Sequence, residues 1–311
     1  MLRRDFAAAN GEMMVDHQGR FAWYELLTTD MAAARDFYGE VVGWTAQDAG
    51  TERFAYSIFS AGETPVAGLM ELPPEGRKAG ATPRWVGYVA VDDLEATVDR
   101  FKRLGGAISV PPAKTNIGRI AIVMDPQRAT LALAEGLRFD QKTSEIDQPG
   151  HVGWHELVAG DAKTAFAFYS EVFGWQRAES KANPMESYQL LAAGGRMIGG
   201  IFTKLPIVPF PFWLYYFDVA DIATAARRVK AGGGRIALGP IELPGVGWMA
   251  WCADPQGAMF ALQGAANQGG VEQLSSAELG WSTQWGGFTS RGKLVANPAS
   301  TPPPSKPPRK R

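Results

Sequence analysis

A chain of 311 residues with 31 basic and 32 acidic side chains has a formal net charge of −1, which leaves no electrostatic case for nucleic acid or for an anionic membrane surface. A hydrophobic fraction of 46% is ordinary for a soluble globular protein, and the single cysteine, Cys252, excludes an intrachain disulfide and suits a reducing cytosol. Residues 1–20 contain Arg3 and Arg4 but are interrupted by Asp5, Asn10, Glu12 and Asp16, so neither a secretory signal nor a spanning segment is expected, and a cytoplasmic location is.

In chain order, residues 1–17 read as a loose leader. Residues 21–28 mix apolar and polar side chains as a strand does. Asp30 is placed to cap a helix whose body, Ala32 to Tyr38, has high helical propensity, and Gly43 ends it. Trp44 opens a strand, and 54–60 and 66–72 read as two more. The order then returns: strand 85–91, helix 93–104, a stop at Gly105-Gly106, and strands near 107–110, 119–124 and 130–134. After 137–149, a linker, it returns twice more. Strand 152–158, helix 161–173 and strands around 175–178, 187–193 and 197–203 come first. Strand 212–219, helix 221–231 and strands near 235–238, 247–252 and 258–263 follow. Residues 265–311 end in a proline-rich and basic segment, Thr301 to Arg311, that cannot build a core and is expected to be disordered or polyproline-like.

The two halves are copies. Trp23-Tyr24-Glu25-Leu26, Asp30, Phe37-Tyr38 and Gly43-Trp44 return as Trp154-His155-Glu156-Leu157, Asp161, Phe168-Tyr169 and Gly174-Trp175, with 154−23, 169−38 and 175−44 all equal to 131. Asp125-Pro126-Gln127 returns as Asp254-Pro255-Gln256, where 254−125 is 129. Fixed-period self-similarity of this kind marks a tandem duplication. The expected fold is α+β: four strand-helix-three-strand units forming two domains, 18–136 and 150–264.

This combination resembles the vicinal-oxygen-chelate superfamily of glyoxalase I, bleomycin-resistance proteins and extradiol dioxygenases, and within it the tandem two-domain bacterial glyoxalase-like branch. The resemblance covers about residues 18–264 and implies curved sheets that each enclose a cleft for a small molecule. It further implies that the two domains pair through a pseudo-twofold axis, so that the chain is a monomer or a homodimer. The superfamily's usual chemistry uses a divalent metal as a Lewis acid for two neighbouring substrate oxygens. Its ligand positions fall here on Trp23, Val86 and Ala132 in the first domain and on Trp154, Leu214 and Ala261 in the second. None of these side chains ligates a metal. The expectation is therefore no cofactor, with a divalent metal on relocated ligands as the alternative. His151 and His155 are expected to face away from the cleft as ordinary surface histidines, because residues four apart on a strand share a face and neighbours oppose.

On the cleft face, Trp23 pairs with Glu25 and Trp154 with Glu156, giving each domain an aromatic wall and a carboxylate. Glu25 and Glu156 are the candidate catalytic groups, as general bases. The competing reading is that each accepts backbone or tyrosine hydrogen bonds and steadies its sheet, and its presence in both copies favours that role. Candidate substrate-binding residues are Trp23, Tyr56 and Arg119 in domain 1 and Trp154, Tyr188 and Trp248 in domain 2, with Trp85 as a further wall. The function expected is binding of a small organic molecule in aromatic clefts. The alternative is a lyase, dioxygenase or isomerase that uses relocated metal ligands or a glutamate base. No nucleic-acid or membrane partner is expected.

Overall fold

The computed structural model describes residues 18–137 without 53, 79 and 116, together with 148–179, 188–243 and 247–266. The expected leader, the linker from 138 to 147 and the tail from 267 onward lie outside the described residues.

Domain 1 runs β1 (Phe21–Thr28), α1 (Met31–Val42), β2 (Thr45–Asp48), β3 (Tyr56–Ala61), β4 (Thr64–Glu71), α2 (Pro74–Lys78), β5 (Arg84–Ala90), α3 (Leu94–Arg103), β6 (Ala107–Lys114), β7 (Arg119–Met124) and β8 (Thr130–Glu135). Domain 2 repeats it without the short α2: β9 (Val152–Ala159), α4 (Ala162–Phe173), β10 (Gln176–Ala178), β11 (Gln189–Ala193), β12 (Arg196–Thr203), β13 (Phe212–Val219), α5 (Ile222–Ala231), β14 (Arg235–Leu243), β15 (Gly247–Ala253) and β16 (Met259–Gly264). The four long helices start where the sequence places caps, the Asp30 and Asp161 carboxylates accepting from the Ala33 and Thr164 amides at 2.9 and 2.7 Å. Strand β6 runs four residues beyond the expected end, through Pro111 and Pro112. It is an edge strand with two register shifts, the setting in which a sheet tolerates proline.

Each domain forms one eight-stranded sheet, ordered β2-β3-β4-β1-β5-β8-β7-β6 and β10-β11-β12-β9-β13-β16-β15-β14. The two units of a domain meet at an antiparallel pair, β1 with β5 and β9 with β13. Alternation then sorts side chains between two environments. On one face, Tyr24, Leu26, Trp85 and Val89 join the helices and the opposite domain in a single large apolar core. On the other, Trp23, Tyr56, Val86, Tyr88 and Ala132 form a separate cluster in domain 1, and Val158, Leu214, Tyr216, Trp251 and Ala261 form its counterpart in domain 2. These two clusters are the cleft faces.

The residues that reveal the duplication hold the domains together. Tyr38 on α1 donates to Asp254 at 3.1 Å, and Tyr169 on α4 donates to Asp125 at 3.0 Å. Trp85 and Trp213 in turn donate to those tyrosine hydroxyls at 2.8 and 3.2 Å. Trp44 donates to the Gly150 carbonyl and Trp175 to the Gly19 carbonyl, each at 2.6 Å. Every pair has its reciprocal, so the domains are related by a pseudo-twofold axis. Each bond is buried, and the unpaired alternative for such a group costs about 1–3 kcal/mol.

Near the axis the reciprocity breaks. Tyr24 and His155 occupy equivalent positions and meet each other, Tyr24 Oη lying 2.5 Å from His155 Nε2. The other ring nitrogen, Nδ1, bonds the Ile198 carbonyl, which can only accept. His155 is therefore the Nδ1–H tautomer and takes a hydrogen bond from Tyr24. Burial lowers its pKa from 6.5 to about 4, against the smaller effect of the Ile198 bond. Phe21 stacks on the ring at 4.0 Å and 9°. His155 does face away from the cleft, as alternation requires, but a register shift at Gly153 breaks the alternation before His151 can follow it, and neither is a surface residue. His151 and His155 are both buried, His155 because the domain pairing covers its face with Phe21 and Tyr24.

Candidate functional site

The strand register carries the six family ligand positions to the cleft faces. Trp23, Val86 and Ala132 lie in one cluster, and Leu214 and Ala261 in the other with Trp154 packed against it. The place a metal would take in this fold is thus lined by an indole and two aliphatic groups per domain. Those groups offer no lone pair to a cation. Among the described residues, no three His, Cys, Asp or Glu side chains are grouped to hold a metal ion elsewhere. The residues present do not fit the family's metal.

What occupies each cleft floor is a carboxyl held by phenols. In domain 1, Glu25 accepts from Tyr56 at 2.8 Å on one oxygen and from Tyr88 on the other, with the Trp23 indole packed in the same cluster. In domain 2, Glu156 accepts from Tyr216 at 2.6 Å and from Tyr188. Trp154 donates to Tyr188 at 2.9 Å and Trp251 to Tyr216 at 2.8 Å. In domain 2 each phenol takes an indole N–H and passes a hydrogen bond on to the carboxyl. Gly200 makes this possible, since a Cβ there would lie 2.1–2.4 Å from the Tyr188 ring and hydroxyl, and Gly68 does the same for Tyr56. The bracket ties β1 to β3 and β5, and β9 to β13 and the residue before β11, which is the sheet-steadying arrangement.

Burial raises the pKa of both carboxyls, while their tyrosine hydrogen bonds pull the other way. For Glu156 the balance stands at about 7. That value makes it half-ionised at neutral pH, the condition for exchanging a proton with a ligand.

The two clefts are not equivalent. Trp23 is completely buried, whereas Trp154 keeps part of its surface open. Domain 2 places Phe202 and Trp251 where domain 1 has Met70 and Ile122, and Phe202 rings sit 6.2 Å from Tyr188 and 6.1 Å from Trp251. Domain 2 therefore has the more aromatic cleft face, and its first-strand indole, unlike that of domain 1, keeps open surface.

Of the residues singled out in the sequence, Trp23, Glu25 and Tyr56 come together in domain 1, and Trp154, Glu156 and Tyr188 in domain 2. Arg119, Trp248 and Trp85 do not join them. Arg119 sits on the helix side, ion-paired to Glu95 of α3 and to Glu135, and Trp248 and Trp85 belong to the interdomain core. On β7 it is Ile120 and Ile122 that reach the cleft, and on β15 Met249 and Trp251. Ile122 pairs directly with Ala132, so counting back in twos reaches Ile120 and passes over Arg119. Tyr88, Tyr216 and Trp251 escaped the sequence reading, although the same count from Val86 and Leu214 reaches both tyrosines.

A depression of about 520 Å³ lies at the domain junction, lined by Asp125, Gln127, Thr164 and Phe168 among others. Gln127 bonds both Asp161 and Thr164 there, and Asp125 bonds Tyr169, so these polar groups serve the domain seam. No described helix is long and apolar enough to cross a membrane.

Comparison with known proteins agrees with this architecture. The sequence model of the Glyoxalase/Bleomycin resistance protein/Dioxygenase superfamily matches residues 20–133 and again 148–262. The protein CFP32 of Mycobacterium bovis is 33% identical over 255 residues, covering 81% of this chain and 97% of that protein. The anthracycline biosynthesis protein DnrV of Streptomyces peucetius is 38% identical over 117 residues, 38% of this chain and 42% of DnrV. The crystal structure of an Mn(II)-bound glyoxalase from Novosphingobium aromaticivorans superposes with a TM-score of 0.52 at 16% identity, covering 81% of this chain and 83% of that one, a likeness of fold. With the family matched twice, once per domain, the chain belongs to the Glyoxalase/Bleomycin resistance protein/Dioxygenase superfamily.

Proposed function

We propose that this protein binds a small organic molecule with an aromatic body, in the cleft of domain 2, without a metal at the family's ligand positions. The observation that carries the reading is the replacement of the three ligands by Trp154, Leu214 and Ala261 beside a partly open aromatic wall. Apolar walls with a few placed polar groups are the usual make-up of a small-molecule site. The relationship to a protein of anthracycline biosynthesis agrees with an aromatic ligand. Domain 1 serves as the pseudo-symmetric partner that buries the back of the domain 2 sheet. A cytoplasmic monomer is the form this reading takes.

A second reading has its own observation, the Glu156 pKa near 7. It makes Glu156 a general base for an isomerase or hydrolase, taking a proton from the bound ligand. Tyr188 and Tyr216 would then hold the carboxylate in place.

The test is a panel of naphthalenes with a hydroxymethyl, a carboxylate or a trimethylammonium-methyl head group, followed by tryptophan fluorescence. At least one should bind, and Trp154→Ala should weaken it roughly 30-fold, the equivalent of ~2 kcal/mol for a central aromatic. Chelator treatment should change neither binding nor melting temperature. A metal bound only to the folded chain would contribute about 3 kcal/mol at a hundredfold excess over Kd. Failure of every probe to bind, or a clear fall in melting temperature with chelator, would refute the proposal.

A further inference from the structure

Resting on the binding site just described, we infer that the domain 2 cleft selects ligands that carry an ammonium group on an aromatic or apolar body. The argument is an inventory of donors and acceptors. Both cleft phenols already donate to Glu156, and both cleft indoles already donate to those phenols. Among the described residues, a ligand carbonyl, phenolate or carboxylate therefore meets no phenol or indole donor in this cleft that is not spent. The carboxylate is different. It has about four lone-pair directions, and two are used.

The charge balance points the same way. Glu156 is buried, and its partners are neutral hydroxyls. Among the described residues no lysine, arginine or histidine pairs with it. The surrounding elements confirm the lack of countercharge: β12 presents Gly200 and Phe202, β16 presents Ala261, β15 presents Met249 and Trp251, and β14 presents Ala237 and Leu238. Among the described residues, the titratable groups acting on it are Tyr188 and Tyr216, and the Lys204 ammonium is bonded to the carbonyl of Val208 in the same cluster. A buried carboxylate with no cation is unfavourable, and a ligand ammonium supplies the missing charge. Trp154, Phe202 and Trp251 lie in the same cluster, and aromatic rings favour ammonium groups over neutral ones through their quadrupole. Domain 1 has the same carboxyl but lacks these rings, with Met70 and Ile122 in place of Phe202 and Trp251 and with Trp23 sealed.

The same naphthalene panel tests the inference at two pH values. The trimethylammonium probe cannot titrate, so any pH dependence of its binding belongs to the protein. At pH 8.5, with Glu156 ionised, it should bind at least tenfold more tightly than the alcohol. At pH 5.5, with Glu156 protonated, the advantage should fall below about threefold. Glu156→Gln should remove the advantage at both pH values. This pH series on the unaltered protein decides the matter even if the variant folds poorly. If the alcohol or the carboxylate binds as tightly as the cation at pH 8.5, the ammonium inference is wrong while the site stands. An advantage that persists unchanged at pH 5.5 overturns it equally. If no probe binds at all, the binding reading itself has failed and takes the inference with it.

Discussion

Gly87→Ala is expected to destabilise the protein by about 3 kcal/mol, the upper range for forcing an extra carbon into a packed core. Gly87 lies on β5, where the domains meet, and its amide donates to the Tyr215 hydroxyl at 2.6 Å. A Cβ there would stand 2.6 Å from Tyr215 Cε1, 2.8 Å from its hydroxyl and 2.9 Å from Phe21 Cδ1. None of these atoms can give way easily. Tyr215 is fully buried, and Phe21 is pinned against His155, Trp175 and Trp213. Gly76→Ala, in the exposed α2, is the control, since its nearest neighbour is 3.7 Å away. It should be neutral or gain a few tenths of a kcal/mol through the unfolded chain. Urea denaturation measures both, and equal effects at the two glycines would dismiss the clash.

Gly87 and Tyr215 are equivalent positions in the two copies, as are Tyr24 and His155. The pairing thus works only between unlike domains. Two copies of domain 1 would bring Gly87 to Gly87 and leave a void, and two copies of domain 2 would bring Tyr215 to Tyr215 and His155 to His155. Broken symmetry at the axis specifies one domain arrangement over the alternatives, a device against self-pairing.

The architecture was legible because duplication prints each signal twice. Asp30 and Asp161 announce the same helix start, and Phe-Tyr, Gly-Trp and Asp-Pro-Gln recur at nearly constant spacing. What those motifs do was not legible. They read as signatures of a cleft-forming family, yet Tyr38, Trp44 and Asp125 spend their polar atoms on the domain interface. Strand alternation tells which residues share a face, but not what covers that face. For that reason alternation gives His155 its correct side but the wrong environment. Arg119 failed differently. It was chosen for its chemistry beside Gly118, while the register from Ala132 already placed it opposite the cleft. The glutamates came through because Trp23-x-Glu25 and Trp154-x-Glu156 carry the alternation within the motif itself.

The second large effect is a pair of opposed titrations on neighbouring residues. Glu156 has its pKa raised from 4.5 to about 7 in the fold. The folded state then holds the proton more tightly than the unfolded chain. Its contribution to stability is complete below pH 4.5 and is lost as pH rises through 7. His155 has its pKa lowered from 6.5 to about 4. The unfolded chain binds that proton more tightly, so the contribution is present above pH 6.5 and is lost as pH falls through 4. Between pH 5 and 8 each amounts to about 2 kcal/mol, in opposite directions, so these two groups offset one another in the unaltered protein. Glu25, Asp125 and Asp254 are also raised by burial and act in the same sense as Glu156. Single substitutions separate the pair. Glu156→Gln should gain about 2 kcal/mol relative to the parent as pH goes from 5 to 8. His155→Gln, which keeps a hydrogen-bonding side chain toward Tyr24, should lose about 2 kcal/mol relative to the parent over the same interval. Urea denaturation at four or five pH values gives both differences. The slope is the readout, because each substitution also removes packing that shifts the whole curve. A difference from the parent that stays constant with pH would show that the buried group does not titrate in this range.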